Sequence, residues 1–153
     1  MKQIIISETA FKKMEQLNAK YPNSENGGFM YGRMNPEWLQ ILDISDAGGN
    51  AKRTYTAVEF DSEYLSEYTE EKINEELYVV GTWHSHPAEA NLIPSSIDYS
   101  TMIKIDSYYN KEYYPVFIIS KISKAEFLFS IYKIDENGKM LKIENWEIVE
   151  SGG

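Results

Sequence analysis

The stretch WHSHP at residues 83–87, followed by PSSID at residues 94–98, contains both histidines of the chain. An apolar run at residues 77–83 leads into it and predicts a buried strand. Alternate side chains of a strand share one face, so His84 and His86 should point the same way. Ser95 is typical of a helix N-cap, which would place Asp98 in the first helical turn. The end of a strand and the start of a helix would thus bring two imidazoles and one carboxylate together.

Such a set of side chains suits a metal ion, since catalytic zinc commonly has three protein ligands and keeps a fourth position for water. The pattern alone leaves a second interpretation open. A pair of histidines separated by one residue is often only two polar side chains near a strand end. The serine and aspartate motif that follows, and a glutamate motif upstream, favour the metal site.

Length and composition restrict the classes of protein that fit. The 153 residues suit one domain, which we assign to residues 1–150, with residues 151–153 as a tail. The formal charge is −9 and no basic stripe is present, so we expect neither nucleic acid nor membrane as a partner. The chain has no cysteine, which excludes disulfides and thiolate zinc sites and fits a reducing compartment. No stretch resembles a signal peptide or a membrane span, so we expect a soluble, cytoplasmic protein.

The order of elements predicts an α/β or α+β protein, with a mixed sheet and helices packed on it. One helix should follow Ser7 or Thr9, a second should run from Asp61 to about residue 77 with Ile73 on its inner side, and a third should start after Ser95 and run to about residue 109. The glycines near the strand at residues 29–33 indicate close approach of a neighbouring backbone. The other expected strands are residues 4–6, 38–44, 54–60, 77–83, 114–120, and a final hairpin of residues 127–134 with 140–149.

Three segments in this order resemble a known family: ENGGFMYG at residues 25–32, HSHP at residues 84–87 and PSSID at residues 94–98. Together they are similar to the JAB/MPN-plus (JAMM) zinc metalloprotease domain, over roughly residues 1–120. The resemblance implies a curved mixed β-sheet flanked by helices, similar to cytidine deaminase in layout. The short chain has no room for large substrate-selecting insertions, which favours a small prokaryotic-type member.

The resemblance implies one zinc ion per chain, with His84, His86 and Asp98 as ligands. One departure concerns the loop between them. Eleven residues separate His86 from Asp98, one more than in the family pattern. Glu89 lies in this longer loop and is an alternative carboxylate ligand, because zinc accepts either acid.

The resemblance also assigns the catalytic roles. Glu25 matches the general base, which takes a proton from the attacking water and passes one to the leaving amine. Ser95 matches a serine that helps to hold the oxyanion, although it can also be a plain N-cap with Asp98 in capping-box position. Trp83 is expected in the core or in a pocket wall.

The reaction implied is hydrolysis of the amide bond after the C-terminal glycine of a ubiquitin-like protein, which would either release it from a conjugate or process its precursor. An activating or conjugating enzyme could be associated with it. Two alternatives remain: a metal-free MPN-like scaffold that binds a partner, and a peptidase that acts on a sulfur-carrier adduct. Metal-dependent hydrolases built on (β/α)8 folds are excluded, because about 250 residues and more histidines are needed.

Overall fold

The computed structural model describes residues 2–150, so the expected tail at residues 151–153 lies outside it. The described chain forms a mixed sheet of eight strands, a two-stranded sheet and three helices. This confirms the mixed α/β architecture that the sequence predicted. The elements are β1 (Gln3–Ser7), α1 (Glu8–Lys20), β2 (Asn26–Met34), β3 (Trp38–Ile44), β4 (Lys52–Arg53), β5 (Val58–Glu59), α2 (Ser62–Asn74), β6 (Tyr78–Ser85), α3 (Ser96–Asp106), β7 (Val116–Ser123), β8 (Glu126–Ile134), β9 (Met140–Ile143) and β10 (Trp146–Val149).

The strand that carries the histidine motif, β6, lies in the middle of the large sheet. The strand order is β10-β1-β3-β2-β6-β7-β8-β9. β6 pairs antiparallel with β2 on one side and parallel with β7 on the other. A central strand has no free edge and little solvent contact, which is why its sequence is a nearly continuous apolar run. The first histidine is therefore fixed by hydrogen-bonded neighbours on both sides.

The sheet curls until its two edges are joined by the chain itself. β9 pairs with β8 at one edge, whereas β10 pairs parallel with β1 at the other. Only Glu144 and Asn145 connect the two strands, and two residues span less than about 10 Å even when extended. The rings of Phe129 and Trp146 accordingly lie 4.8 Å apart between centroids. The expected final hairpin is thus correct up to Ile143 and wrong beyond it, because the chain crosses to β1.

Two apolar clusters fill the two faces of the sheet. One contains Met14 of α1 together with Val116 and Ile118 of β7. The other contains Met102 of α3 together with Phe117 and Ile119. Successive β7 residues therefore enter opposite clusters, as the period of a strand requires. β7 is therefore buried on both faces, and α1 and α3 lie on opposite sides of the sheet.

Helix starts follow the capping residues that the sequence offers. Ser7 accepts a hydrogen bond from Ala10 N–H, and Asp61 accepts one from Tyr64 N–H. α2 ends earlier than expected, at Asn74, because Leu77 N–H donates to the Lys72 carbonyl and the chain turns away. The expected inner position of Ile73 is wrong, since its side chain is 48% exposed.

Further elements differ from the expectation, among them β7, which spans Val116–Ser123 rather than residues 114–120. α3 ends at Asp106 rather than near residue 109. The strand expected at residues 54–60 is reduced to β5, which pairs only with β4 in a small separate sheet. Within residues 2–150, no helix combines the length and the apolar character that crossing a membrane requires.

Candidate metal centre

The predicted site residues lie where three elements of the fold meet. His84 is in β6, and His86 follows directly after that strand ends at residue 85. Asp98 is the third residue of α3. Glu25 directly precedes β2, and its backbone N–H donates to the Thr54 carbonyl at 2.7 Å. Strand pairing at His84, the helix start at Asp98 and backbone hydrogen bonds at Glu25 and His86 therefore fix the backbone at these four positions.

Both histidines contact the same carboxylate. His84 Nδ1 lies 3.3 Å from Asp98 Oδ1, and His86 Nε2 lies 3.1 Å from Asp98 Oδ2. Asp98 and His86 are buried, with 4% and 8% of their surface exposed. The structure thus brings together the three side chains that the sequence singled out as ligands.

The glutamate lies close to this group. In the part of the chain that is described, Glu25, His86 and Asp98 form a buried set whose ligand atoms all lie within 4.8 Å of one another. His84 is outside that set and joins it through its contact with Asp98. Burial, and then the charge of Asp98, raise the pKa of Glu25. A raised pKa brings a carboxylate closer to the range where it accepts a proton efficiently near neutral pH.

A backbone carbonyl fixes the orientation of the second histidine. His86 Nδ1 lies 2.8 Å from the Asn91 carbonyl oxygen, so this nitrogen carries a proton and donates it. Nε2 is then the nitrogen that can present a lone pair to a cation. A hydrogen bond of this kind behind the ring is typical of histidines that bind metals.

The electrostatics of the site are those of a cation–anion cluster. Burial alone would raise the pKa of Asp98, but hydrogen bonds from His84, His86 and the Ser95 backbone hold it well below its usual range. Burial would likewise lower the pKa of His86, yet its hydrogen bonds to Asp98 and to the Asn91 carbonyl raise it. Asp98 is therefore an anion at neutral pH, and a positive charge beside it is favoured.

Ser95 caps α3 in a reciprocal arrangement with Asp98. Its Oγ accepts a hydrogen bond from Asp98 N–H at 3.1 Å, and its own N–H donates to Asp98 Oδ2 at 2.9 Å. This is the capping box that the sequence allowed. The cap uses a lone pair of the hydroxyl, so its O–H proton can still be donated elsewhere. The N-cap and oxyanion interpretations of Ser95 are therefore compatible.

Close packing clamps the first histidine ring. Gly27 lies opposite His84 in the β2–β6 register, and a Cβ at residue 27 would stand 2.6 Å from His84 Cδ2. Phe60 contacts the same ring edge-on, with 5.6 Å between centroids. The glycine thus marks the close approach that the sequence indicated. Trp83, next in the strand, is fully buried in the core, as expected.

The structure contains a polar network beside Glu25 that was not predicted from the sequence. Asn26 donates to Asp46 at 2.9 Å, while Arg53 Nε donates to Asn26 Oδ1 at 2.9 Å and its Nη2 to Asp46 at 3.0 Å. Asn26 N–H also donates to Ser85 Oγ at 2.8 Å. These bonds tie the residue after Glu25 to β6 and to the loop of residues 46–53. That loop looked merely polar in sequence, and the position of Asn26 next to Glu25 was the one available signal.

The longer loop after His86 leaves the site intact. Glu89, the alternative ligand, is exposed and is not part of the buried group. Lys121 Nζ donates to the Ala90 carbonyl at 2.7 Å and anchors the middle of the loop. The additional residue is accommodated between two fixed ends, and Asp98 remains the carboxylate beside the histidines.

A cavity of about 180 Å³ opens on this group, and we call it the Glu25 cavity. Glu25, His84 and Asp98 line it, together with Phe60 and Ile97. The β4–β5 hairpin forms one wall and the start of α3 forms the other. A small molecule or an extended chain can therefore reach the carboxylate and the imidazole from this side.

Comparison with known proteins assigns the family. The profile described as prokaryotic homologs of the JAB domain matches residues 7–132. The chain belongs to this family. A search of curated proteins gave no match. Among solved structures, the solution structure of protein DSY2949 from Desulfitobacterium hafniense is similar, with a TM-score of 0.75 and 14% identity. The match covers 97% of this chain and 94% of that one. At this identity the likeness shows the fold, which is the JAB-like fold that the motifs implied.

The side chains gathered in this JAB domain offer donor atoms of the kinds that bind metal ions. Two imidazoles and a carboxylate are a donor set that zinc uses in catalytic sites. Asp98 is anionic, and His86 Nε2 is directed at it by the Asn91 carbonyl. The buried Glu25, His86 and Asp98 group is thus a possible metal site.

Proposed function

We propose that the protein is a zinc-dependent peptidase that hydrolyses the amide bond after the C-terminal glycine of a ubiquitin-like protein. Such a protein would release the modifier from a conjugate or process its precursor. The main support is the buried Glu25 carboxylate, whose pKa is raised and which lies within 4.8 Å of His86 and Asp98. A base of this kind next to a possible metal site is what amide hydrolysis requires.

His84, His86 and Asp98 would hold the zinc ion, one per chain. When bound, zinc supplies Lewis acidity toward a carbonyl and lowers the pKa of a coordinated water to about 7. The remaining chemistry belongs to the side chains. Glu25 takes a proton from the attacking water and then delivers a proton to the nitrogen of the leaving amine. The Ser95 hydroxyl proton, which the helix cap leaves free, donates to the oxygen on which negative charge develops.

The Glu25 cavity suits a narrow, extended acyl chain. Its volume of about 180 Å³ is below the roughly 300 Å³ at which drug-sized ligand pockets begin. The adjacent β4–β5 hairpin offers a sheet edge to which a Gly-Gly tail could add as an extended strand. Ile97 lies in the cavity wall with 62% of its surface exposed, as expected of a residue that a protein substrate covers.

The biological setting is part of the same proposal. We place the protein in the cytoplasm, where a chain without cysteine is compatible with reducing conditions. The partner is a ubiquitin-like protein or its conjugate, and an activating or conjugating enzyme would act on the same modifier.

The first test is the zinc-to-protein ratio after reconstitution and removal of excess metal. We expect about one equivalent, which Asp98→Ala should lose and Glu89→Ala should keep. Glu25→Gln should retain the zinc and lose hydrolysis of a modifier fused through Gly-Gly, because the glutamate is a base rather than a ligand. Hydrolysis by Glu25→Gln near the wild-type rate would exclude it as the base. If the wild-type chain retains no zinc after removal of the excess, a scaffold that binds partners without catalysis would be favoured instead.

A further inference from the structure

A second cavity, of about 160 Å³, includes one residue of the candidate metal centre in its lining. We call it the His86 cavity, because His86 lines it. Its other walls are Ala19 and Tyr21 at the end of α1, Ala88 in the loop and Ile122 in β7. It shares no lining residue with the Glu25 cavity. The Glu25 cavity thus contacts Glu25, His84 and Asp98 of the metal centre, and the His86 cavity contacts the same group through His86.

The lining of the His86 cavity favours an apolar ligand. It contains no aspartate, glutamate, lysine or arginine, and its remaining side chains are those of Asn18 and Pro22. The Asn18 amide is already used, since Nδ2 donates to the Met14 carbonyl and to Ser120 Oγ at 2.9 Å each. Asn18 Oδ1 in turn accepts a hydrogen bond from the Ser120 hydroxyl at 3.1 Å. The His86 nitrogens likewise contact the Asn91 carbonyl and Asp98, so the Tyr21 hydroxyl is the remaining polar side-chain group in this lining.

The size of the cavity sets the size of the ligand. A volume of about 160 Å³ equals that of about five water molecules in the liquid. It is well below the roughly 300 Å³ of the smallest drug-sized pockets. One aliphatic side chain fits this space, whereas a folded partner or a large cofactor does not.

We infer that the His86 cavity binds the aliphatic side chain of the residue that supplies the leaving amine. The inference rests on the proposed peptidase function. If the Gly-Gly tail lies in the Glu25 cavity beside the β4–β5 hairpin, the scissile bond lies at the metal centre, and the His86 cavity offers a space beside that centre for the residue beyond the bond. This cavity is largely apolar and has room for one side chain. The site thereby selects the residue after the scissile bond.

Two kinds of substrate have an aliphatic group at this position. In a linear precursor, the group is the side chain of the residue after Gly-Gly. In a conjugate, it is the four-methylene stem of a lysine whose ε-amino group is acylated. Both are aliphatic, so the cavity alone does not separate them, and the experiment has an arm for each.

The rate test compares two pairs of substrates on the same modifier. One pair ends in Gly-Gly-Leu or Gly-Gly-Ala, and the other joins Gly-Gly to lysine or to the shorter 2,3-diaminopropionate. We expect kcat/KM to be at least about tenfold higher for the longer member of one pair, the usual range for a methylene-sized difference in an apolar pocket. The pair that shows the preference identifies the substrate. Equal rates within both pairs would overturn the inference.

Variants assign any preference to the cavity. Ala19→Leu places three further carbons in it from an exposed helix position, so folding should be preserved. This variant should cleave the longer substrates with the same kcat/KM as the shorter ones. Gln16→Leu, at an exposed position one turn earlier on the same helix and outside the lining, should keep the preference.

A binding measurement keeps the inference testable if nothing is cleaved. Adding the Gly-Gly-Leu peptide to Glu25→Gln, which should bind without turnover, should shift the methyl resonances of Ala19, Ala88 and Ile122. The Gly-Gly-Ala peptide should shift them less. Shifts without cleavage of any substrate by the wild-type protein would refute the peptidase while supporting the cavity as a binding site. Cleavage without shifts would refute the cavity assignment and leave the peptidase.

Discussion

Replacing Gly27 by alanine should damage the metal centre through a single methyl group. Gly27 lies opposite His84 in the β2–β6 pair, and its new Cβ would stand 2.6 Å from His84 Cδ2 and 2.7 Å from the Trp83 carbonyl oxygen. Carbon atoms in contact prefer about 3.5–4.0 Å. Phe60 Cε1, at 3.1 Å from the same Cβ, adds to the crowding. The His84 ring therefore has to withdraw by about 1 Å.

That displacement is large on the scale of metal coordination. Ligand distances in a working site hold to within about 0.2 Å, so a shift of about 1 Å removes His84 as an effective ligand. Loss of a residue that only orients a ligand typically costs 10–100-fold in metal affinity, and we expect at least that here. Overpacking of this kind also costs about 1–3 kcal/mol of stability. In a domain of this size that corresponds to a fall in Tm of about 2–12 °C.

Two other glycines provide matched controls. An alanine Cβ at Gly28 would stand 2.1 Å from the Ser45 carbonyl oxygen, away from His84. Gly28→Ala should therefore lose stability, while its folded fraction keeps its zinc affinity. At Gly49 a Cβ would meet no atom within 4 Å, so Gly49→Ala should change neither property.

Competition titration against a zinc chelator would measure the affinity, and thermal unfolding of the metal-free proteins would measure the stability. If Gly27→Ala binds zinc as tightly as Gly49→Ala does, either His84 is not a ligand or the ring is not held by this contact. If Gly28→Ala loses zinc affinity as severely as Gly27→Ala, the effect arises from general loosening of β2, and the reasoning about His84 fails.

Three further changes have direct readouts. Burial, with Lys133 nearby, lowers the pKa of Lys2 from 10.5 to about 8. Between these pH values only the unfolded chain keeps the Lys2 proton, so the free energy of unfolding should rise from pH 8 to pH 10.5. In urea denaturation, Lys2→Met should remove this pH dependence and raise the free energy of unfolding by about 1–3 kcal/mol at pH 7. Ser95→Ala should lower stability by about 1 kcal/mol and kcat about 10²–10³-fold. Ser95→Asp, whose carboxylate can accept the cap hydrogen bond but has no proton to donate, should restore the cap in thermal unfolding without the rate. Asp43→Asn weakens hydrogen bonds from two lysines and a tyrosine, and thermal unfolding should show a loss of about 1–3 kcal/mol of stability. The control Glu59→Gln, which weakens an exposed ion pair on the β4–β5 hairpin, should lose less than about 1 kcal/mol.

Most helices and strands were predicted from short stretches of sequence because the interactions that start them lie within a few residues. Ser7, Asp61 and Ser95 each cap the helix that the sequence assigned to them, since the cap is made by hydrogen bonds within four residues. The second strand after α1 lies at residues 38–44, as its apolar pattern indicated. The exposure of Ile73 shows the limit of such patterns, because helical spacing does not say how wide the buried face is.

Pairing between distant parts of the chain was beyond the sequence. Residues 140–149 have the same apolar character whether they pair with β8 throughout or divide between β8 and β1. The choice depends on how far the sheet curls, which is a property of all eight strands. The network of Asn26, Asp46 and Arg53 beside Glu25 joins residues up to 27 positions apart, and its members look like ordinary polar loop residues. The five site residues were predicted because the family pattern contains all of them, namely Glu25, His84, His86, Ser95 and Asp98.

The spacing of the serine and aspartate in that pattern has a physical reason in this structure. Asp98 Oδ2 accepts the Ser95 N–H of the capping box and also lies 3.1 Å from His86 Nε2. A reciprocal cap requires the acid at the third position after the N-cap, with two residues between them. One carboxylate therefore fixes the start of α3 and faces both histidines, so its position relative to them is set before any metal binds. This is why the loop before Ser95 can be one residue longer without moving the acid, since the helix cap, and not the loop, determines where Asp98 lies.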